Sequence, residues 1–229
     1  MTTKEMVYNC DGRLKTITKS EDIFIPTTEW LQYLNEAQEM VFRDNLPFNQ
    51  ENFTQFDLST TTRNNLAALI KDKQYIPADS RTTTTSKFSG VNYIFEYPID
   101  LKYVDVGEVN MVKNGRTVYC RVKDIEPRYY HQNRKNPFKK PNAEIVWRMD
   151  YGSNGKRYNE IVIPEGFTLN NFTLRYIINL PCLDYESDSL LASSLHIDIV
   201  NRAVDICMKA HQNNLYLKQV AMQQNNERE

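Results

Sequence analysis

Residues Leu174–Ala210 read LRYIINLPCLDYESDSLLASSLHIDIVNRAVDICMKA, and this stretch decides the fold. Its first part is β-prone and ends at Pro181. Its last part repeats apolar residues at Leu191, Leu195, Ile199 and Ala203, with Val200, Val204 and Cys207 widening the stripe into the buried face of an amphipathic helix. Between them LDYESDS forms a polar connector, with Ser187 or Asp188 as candidate caps for a helix starting near Ser189 and reaching the Asn213-Asn214 pair or beyond. A chain that passes from strand to polar connector to long helix places a sheet before a helical terminus, so the N-terminal half must say what else packs with that helix.

There, IPTTEWLQYLNEAQEMVFRDNLPF (Ile25–Phe48) reads as a helix: Thr27 or Thr28 can cap it, Glu29 suits its positive end and Pro47 stops it. Trp30, Leu34, Ala37 and Val41 share one face. After a linker at 49–57, LSTTTRNNLAALIKDKQY (Leu58–Tyr75) reads as a shorter helix capped by Ser59 or Thr60. The polar stretch RTTTTSKFS then gives way to β-prone segments. Asn114-Gly115 divides VGEVNMVKNGRTVYCRVKDI into a hairpin, and Gly152 to Gly155 turns AEIVWRMDYGSNGKRYNEIVIP into a second. Five or six strands are expected between Lys87 and Leu180. The predicted class is α+β: an arm at 1–25, a helical base at 26–77 completed by a C-terminal helix at 183–215, a β-rich insertion at 78–182 as antiparallel sheet or sandwich, and a polar tail at 216–229.

Length and composition agree with a globular chain. Its 229 residues are 41% hydrophobic and 25% charged, enough for one sizeable core or a domain with a large insertion. The formal charge of −1 provides no overall attraction to nucleic acid or anionic lipid. No apolar run approaches the roughly 18 residues of a membrane span, and the N-terminus lacks a signal-peptide core. Cys10, Cys120, Cys182 and Cys207 lack zinc-ligand spacing and read as buried thiols.

No catalytic motif is present: the three histidines pair with nothing, and no GxSxG, P-loop or GxGxxG occurs. The carboxylates of DYESDS and DIEP read as caps and solvated connectors, leaving a dispersed acid/base pair as the only enzymatic reading. No cofactor is called for. Tyr93, Phe95, Tyr97 and Tyr103 alternate as strand residues that pack in a core or subunit interface. The most unusual segment is PRYYHQNRKNPFKKPN (Pro127–Asn142), where Arg128, Arg134, Lys135, Lys139 and Lys140 interleave with Tyr129, Tyr130 and Phe138 and no acid intervenes. As an exposed loop it can pack on an acidic neighbouring subunit, or bind phosphates and stack on bases as a nucleic-acid-binding module. Glu186, Asp188, Leu215, Leu217 and Lys218 are candidate contacts to other subunits.

Taken in order, the capped helix, LAALI, YPIDLKYV (Tyr97–Val104), the hairpins, LRYIINLPCL and the helix HIDIVNRAVDICMKA resemble the head-to-tail connector proteins of tailed phages. The similarity is to the ring proteins of crAss-like phages and, more distantly, the tail tubular or gatekeeper adaptors of podoviruses. It covers Pro26–Lys209. The resemblance implies a non-enzymatic virion protein of the neck or tail, made in the host cytoplasm and assembled as a ring of twelve copies beneath the portal protein. It also implies contacts with adjacent tail or ring proteins, packaged double-stranded DNA passing through the channel, and no membrane.

Overall fold

The computed structural model describes residues 1–19, 24–46, 60–81 and 91–226, and it is α+β, as expected. Two compact units divide the chain. A helical unit comprises Met1–Phe48, Ser59–Leu69 and Leu180–Glu229, and a sheet unit comprises Asn49–Leu58 and Ile70–Asn179. The linker at 49–57, Pro47, Ser59 and the polar stretch 82–89 lie outside the described residues.

In the helical unit, α1 (Thr3–Thr18), α2 (Thr27–Asp44) and α5 (His196–Asn226) pack on one another, with α3 (Thr60–Asn65) a short turn of helix. Residues 3–18, expected as part of an arm, are therefore a packed helix. Thr2 and Glu5 close a reciprocal capping box, the Thr2 hydroxyl accepting from Glu5 N (3.2 Å) and Glu5 Oε2 from Thr2 N (2.9 Å). Met6, Cys10 and Leu14 then follow at intervals of four and are buried. Helix α2 buries Trp30, Leu34, Ala37 and Val41, the stripe read from sequence, together with Gln38 and Phe42. Its N-cap is Pro26, whose carbonyl accepts from Glu29 N and Trp30 N (3.0 Å each), so neither Thr27 nor Thr28 caps it.

Helix α5 starts later than its periodicity suggests. A 3-10 turn, Ser193–Leu195, precedes it, and its backbone continues to Asn226, through most of the expected tail. Leu191, Leu195, Ile199, Val200, Ala203, Val204 and Cys207 are buried. Burial pushes the Cys10 thiol up to about 12 and the Cys207 thiol to about 11. Cys182 departs from the expectation of buried thiols and is exposed.

The sheet unit has seven strands: β1 (Ile70–Tyr75), β2 (Val91–Glu96), β3 (Leu101–Lys113), β4 (Arg116–Asp124), β5 (Ile145–Ser153), β6 (Lys156–Ile163) and β7 (Thr168–Ile178). Their order is β1-β7-β3-β4-β5-β6-β2, antiparallel except for the parallel β4/β5 pair. Residues 70–75, read from sequence as helix, thus form an edge strand. The helical signal of LAALI ends in a 3-10 turn at Ala67–Leu69, and Lys71–Lys73 pairs with Leu174–Tyr176 of β7.

Both hairpins form, the second turning at Asn154-Gly155 with Gly152 inside β5. Asn114-Gly115 (φ 51° and 76°) and Asn154-Gly155 (φ 51° and 74°) take the left-handed pair of a type I′ turn, which Asn and Gly tolerate best. The sheet curls until its edges meet. Tyr75 of edge strand β1 lies 4.9 Å ring to ring from Phe95 of the opposite edge β2, both contact Phe172 of β7, and Tyr75 Oη donates to Glu96 O (2.8 Å). Strand β3 carries the bend through three register shifts. Gly107 lies in this strand, where a Cβ would come within 3.1 Å of Val122 Cγ2 and 3.2 Å of Phe172 Cε2.

Candidate functional site

Parallel strands cannot be joined by a tight turn, so β4 and β5 require a crossover, and the basic segment is that crossover. Pro127 opens a 3-10 turn, Pro127–Tyr129, that runs into α4 (Tyr130–Lys135). Asn136 ends it: its carbonyl accepts from Lys139 N and Lys140 N (3.0 Å each) and its side chain from Phe138 N (3.0 Å), folding 136–140 into a knuckle. Asn142 Oδ1 then accepts from Glu144 N and Ile145 N, which restarts the strand. The open loop expected from sequence is instead a folded arch.

Tyr130 anchors the arch. It is buried among Ile125, Trp147, Met149 and Val162, edge-on to Trp147 with ring centroids 5.8 Å apart. That placement corrects the reading of Tyr130 as an interface or base-stacking residue, because its ring closes a satellite core. Arg128 turns back on its own segment, 2.5 Å from Glu126 Oε2 with its guanidinium over Tyr129 at 4.7 Å. The Arg134 guanidinium lies 6.0 Å from the centre of the Tyr130 ring. Tyr129, Arg134, Lys135, Phe138, Lys139 and Lys140 are exposed, Phe138 at 93%.

The surface extends beyond the segment that sequence singled out. Lys123 is paired with Trp147 across β4/β5 and so shares the face that the arch covers, and Arg121 and Tyr119 follow at alternate positions along that face. All three are exposed, Tyr119 at 76%. The period-two pattern of TVYCRVK carried this signal, with Cys120 and Val122 on the buried side. Together these residues make a basic, aromatic face on one side of the sheet.

At its edge a cleft of about 390 Å³ opens between Lys123, Glu126, Tyr129, Asn133, Arg148 and Asp150. The buried Arg148 guanidinium meets Asp124 at 2.6 Å and Asp150 at 3.7 Å, and Tyr97 Oη donates to Asp150 Oδ1. Burial pushes the Asp124 carboxyl up to about 6; Arg148 opposes the shift and the charge of Asp150 adds to it. A buried cation paired with two carboxylates, one of which also accepts from a phenol, ties these strands together. Among the described residues, no group of three or more His, Cys, Asp or Glu is placed to hold a metal.

In the helical unit the acidic connector is held in place instead of standing free. Asn35 of α2 clamps Leu183 in both directions, accepting from its N–H (2.6 Å) and donating to its carbonyl (3.0 Å). Gln38 donates to Pro181 O and accepts from Ser189 Oγ. Asp184 accepts from Glu186 N and Ser187 N, and these bonds hold its carboxyl below the ordinary range. Asp188 and Ser187 serve α1 and not α5: Asp188 Oδ1 accepts from Thr3 N (3.3 Å) and Ser187 O from the Thr3 hydroxyl. Glu186 is exposed. Leu215, Leu217 and Lys218 lie on α5, and their side chains fall outside the described residues.

The two units differ in charge. The helical unit has 10 Lys and Arg against 15 Asp and Glu, a formal −5; the sheet unit has 18 against 14, a formal +4, and together they give the −1 of the chain. No described helix is long and apolar enough to cross a membrane. No curated protein matches the chain. A family profile does: that of phage tail ring protein 3/4 matches residues 1–217.

Proposed function

The chain belongs to the phage tail ring protein 3/4 family of crAss-like phages, a structural component of the virion tail, and on that premise we propose that it is a head-to-tail connector. In this reading the protein assembles as a closed ring, of twelve copies by analogy with such connectors. It docks beneath the portal protein, passes the packaged DNA through its channel and presents the next tail or ring protein with a platform. The observation that carries the reading is the extent of the family match, which spans both units and most of α5, so the helical and sheet parts together are the ring subunit.

Ring closure gives such a role its strength. A head-to-tail contact that closes is repeated around the axis, and every subunit is held on two sides, so modest pairwise affinities build a stable assembly. Light scattering and negative-stain imaging of the purified protein, alone and with portal, test the proposal. Rings alone or on the portal are the expected result; a monomer that ignores the portal overturns it.

A nucleic-acid-binding module built on residues 127–142 is the alternative. The exposed Lys135, Lys139 and Lys140 favour it. Tyr130 does not, being buried, and the exposed Arg128 is already paired with Glu126. It requires duplex binding whose log affinity falls with log salt, and binding that survives neutralising Arg134, Lys135, Lys139 and Lys140 rules it out.

A further inference from the structure

We infer that the basic, aromatic face of the sheet unit, formed by Tyr119 and Lys123 of β4 with Lys135, Phe138, Lys139 and Lys140 of the arch, docks on the acidic helical unit of a second copy of this chain. The inference rests on the ring reading above and assigns the surface by which neighbours meet.

Three observations lead to it. The face exposes two large aromatic rings that its own unit leaves uncovered, Phe138 at 93% and Tyr119 at 76%. Exposed aromatics flanked by cations are the composition of a protein interface, with rings as anchors and charges at the rim. The second observation is complementarity: the unit that bears this face carries +4 and the other unit carries −5. Lys135, Lys139 and Lys140, and in the helical unit Glu36, Glu186, Asp198 and Asp205, are exposed and have no ion pair among the described residues.

The third observation separates a protein partner from a nucleic acid. Carboxylates punctuate the face: Glu108 stands opposite Arg121 in the β3/β4 ladder, Glu126 sits on Arg128, and Glu144 is exposed at the foot of the arch. Interleaved acids repel a phosphate backbone, whereas a protein surface of mixed sign accommodates them. A contact between the basic face of one unit and the acidic unit of another copy is heterologous, the type that propagates around a ring.

Sedimentation of the purified full chain without portal, over a range of concentration and salt, tests this. Wild-type protein is expected to self-associate and to do so less as salt rises. The triple variant Lys135→Glu, Lys139→Glu, Lys140→Glu is expected to associate at least ~100-fold more weakly, because like charges then face one another. The milder triple Lys→Gln variant is expected to lose roughly tenfold with an unchanged melting curve, which keeps the test independent of any folding defect. The Glu variant keeps its acidic unit, so mixing it with wild type should cap growing arcs and lower their mean mass.

Wild-type protein that stays monomeric at low salt overturns the inference, as does a triple variant that assembles like wild type. Loss of duplex DNA binding in the variants with self-association intact reassigns the face to nucleic acid. Each of these outcomes leaves the separate test of portal binding untouched.

Discussion

The two units cover their apolar faces in different ways. The helical unit sets three stripes against one another and ties its connector down through the Asn35 and Gln38 side chains of α2. The sheet unit instead curls one face inward around Tyr75, Phe95 and Phe172. It covers part of the other with an arch held by one buried ring, and Tyr119, Arg121 and Lys123 on that outer face stay exposed. A curled sheet needs only one face for its core, and the face left outside is free to carry recognition.

Each unit contains one of the two tryptophans, Trp30 in α2 and Trp147 in β5, so Trp→Phe backgrounds report the units separately by fluorescence. The largest expected effect is at the centre of the curl. Phe172→Ala removes a fully buried ring from the stack and should cost the sheet unit about 3–5 kcal/mol in denaturant unfolding read at Trp147. An equal loss read at Trp30 would show that the units unfold as one, breaking the comparison.

Next is the ion network of the cleft. Asp124 titrates near 6 in the folded chain, above its ordinary value of 3.8. Folding therefore favours its protonated form: the contribution is complete below about pH 4 and is lost as pH rises through 6. It amounts to about 2–3 kcal/mol. Unfolding of wild type and Asp124→Asn across this range should show the slope in wild type alone; parallel curves would reject the assignment.

Gly107→Ala should cost about 1–3 kcal/mol, because the added Cβ presses on Val122 and Phe172 where the curl is tightest. A neutral result in a melting experiment would mean that the bend yields more easily than the packing suggests. The smallest effect belongs to the helical unit. Asp188→Ala removes one acceptor from the first turn of α1 and should cost about 0.5–1 kcal/mol, with the loss read at Trp30.

How far the sequence could be read depended on whether partners were near along the chain. The stripes of α2 and α5, the Asn114-Gly115 turn and the strand character of the residues from Leu174 all express local periodicity or turn chemistry, and all stand where they were expected. Helix α1 was equally legible, since Thr2 and Glu5 spell a capping box and Met6, Cys10 and Leu14 repeat behind it, but its polar composition masked the pattern. The strand at Ile70–Tyr75 was not legible, because its alternation of Lys and Asp shows no buried face. It is a strand by virtue of β7, about a hundred residues away along the chain.

The same division holds for the candidate site. Sequence alone established that residues 127–142 gather cations and aromatics without an acid among them, and the family resemblance gave them a setting in a phage tail. Which of these residues face outward was decided by tertiary structure. The parallel pairing of β4 with β5 turned the segment into an arch, buried Tyr130 against Trp147, turned Arg128 onto Glu126 and brought Tyr119 and Lys123 onto the same face. Composition and periodicity are properties of neighbours along the chain. A surface is a property of neighbours in space, and strand pairing is what converts one into the other.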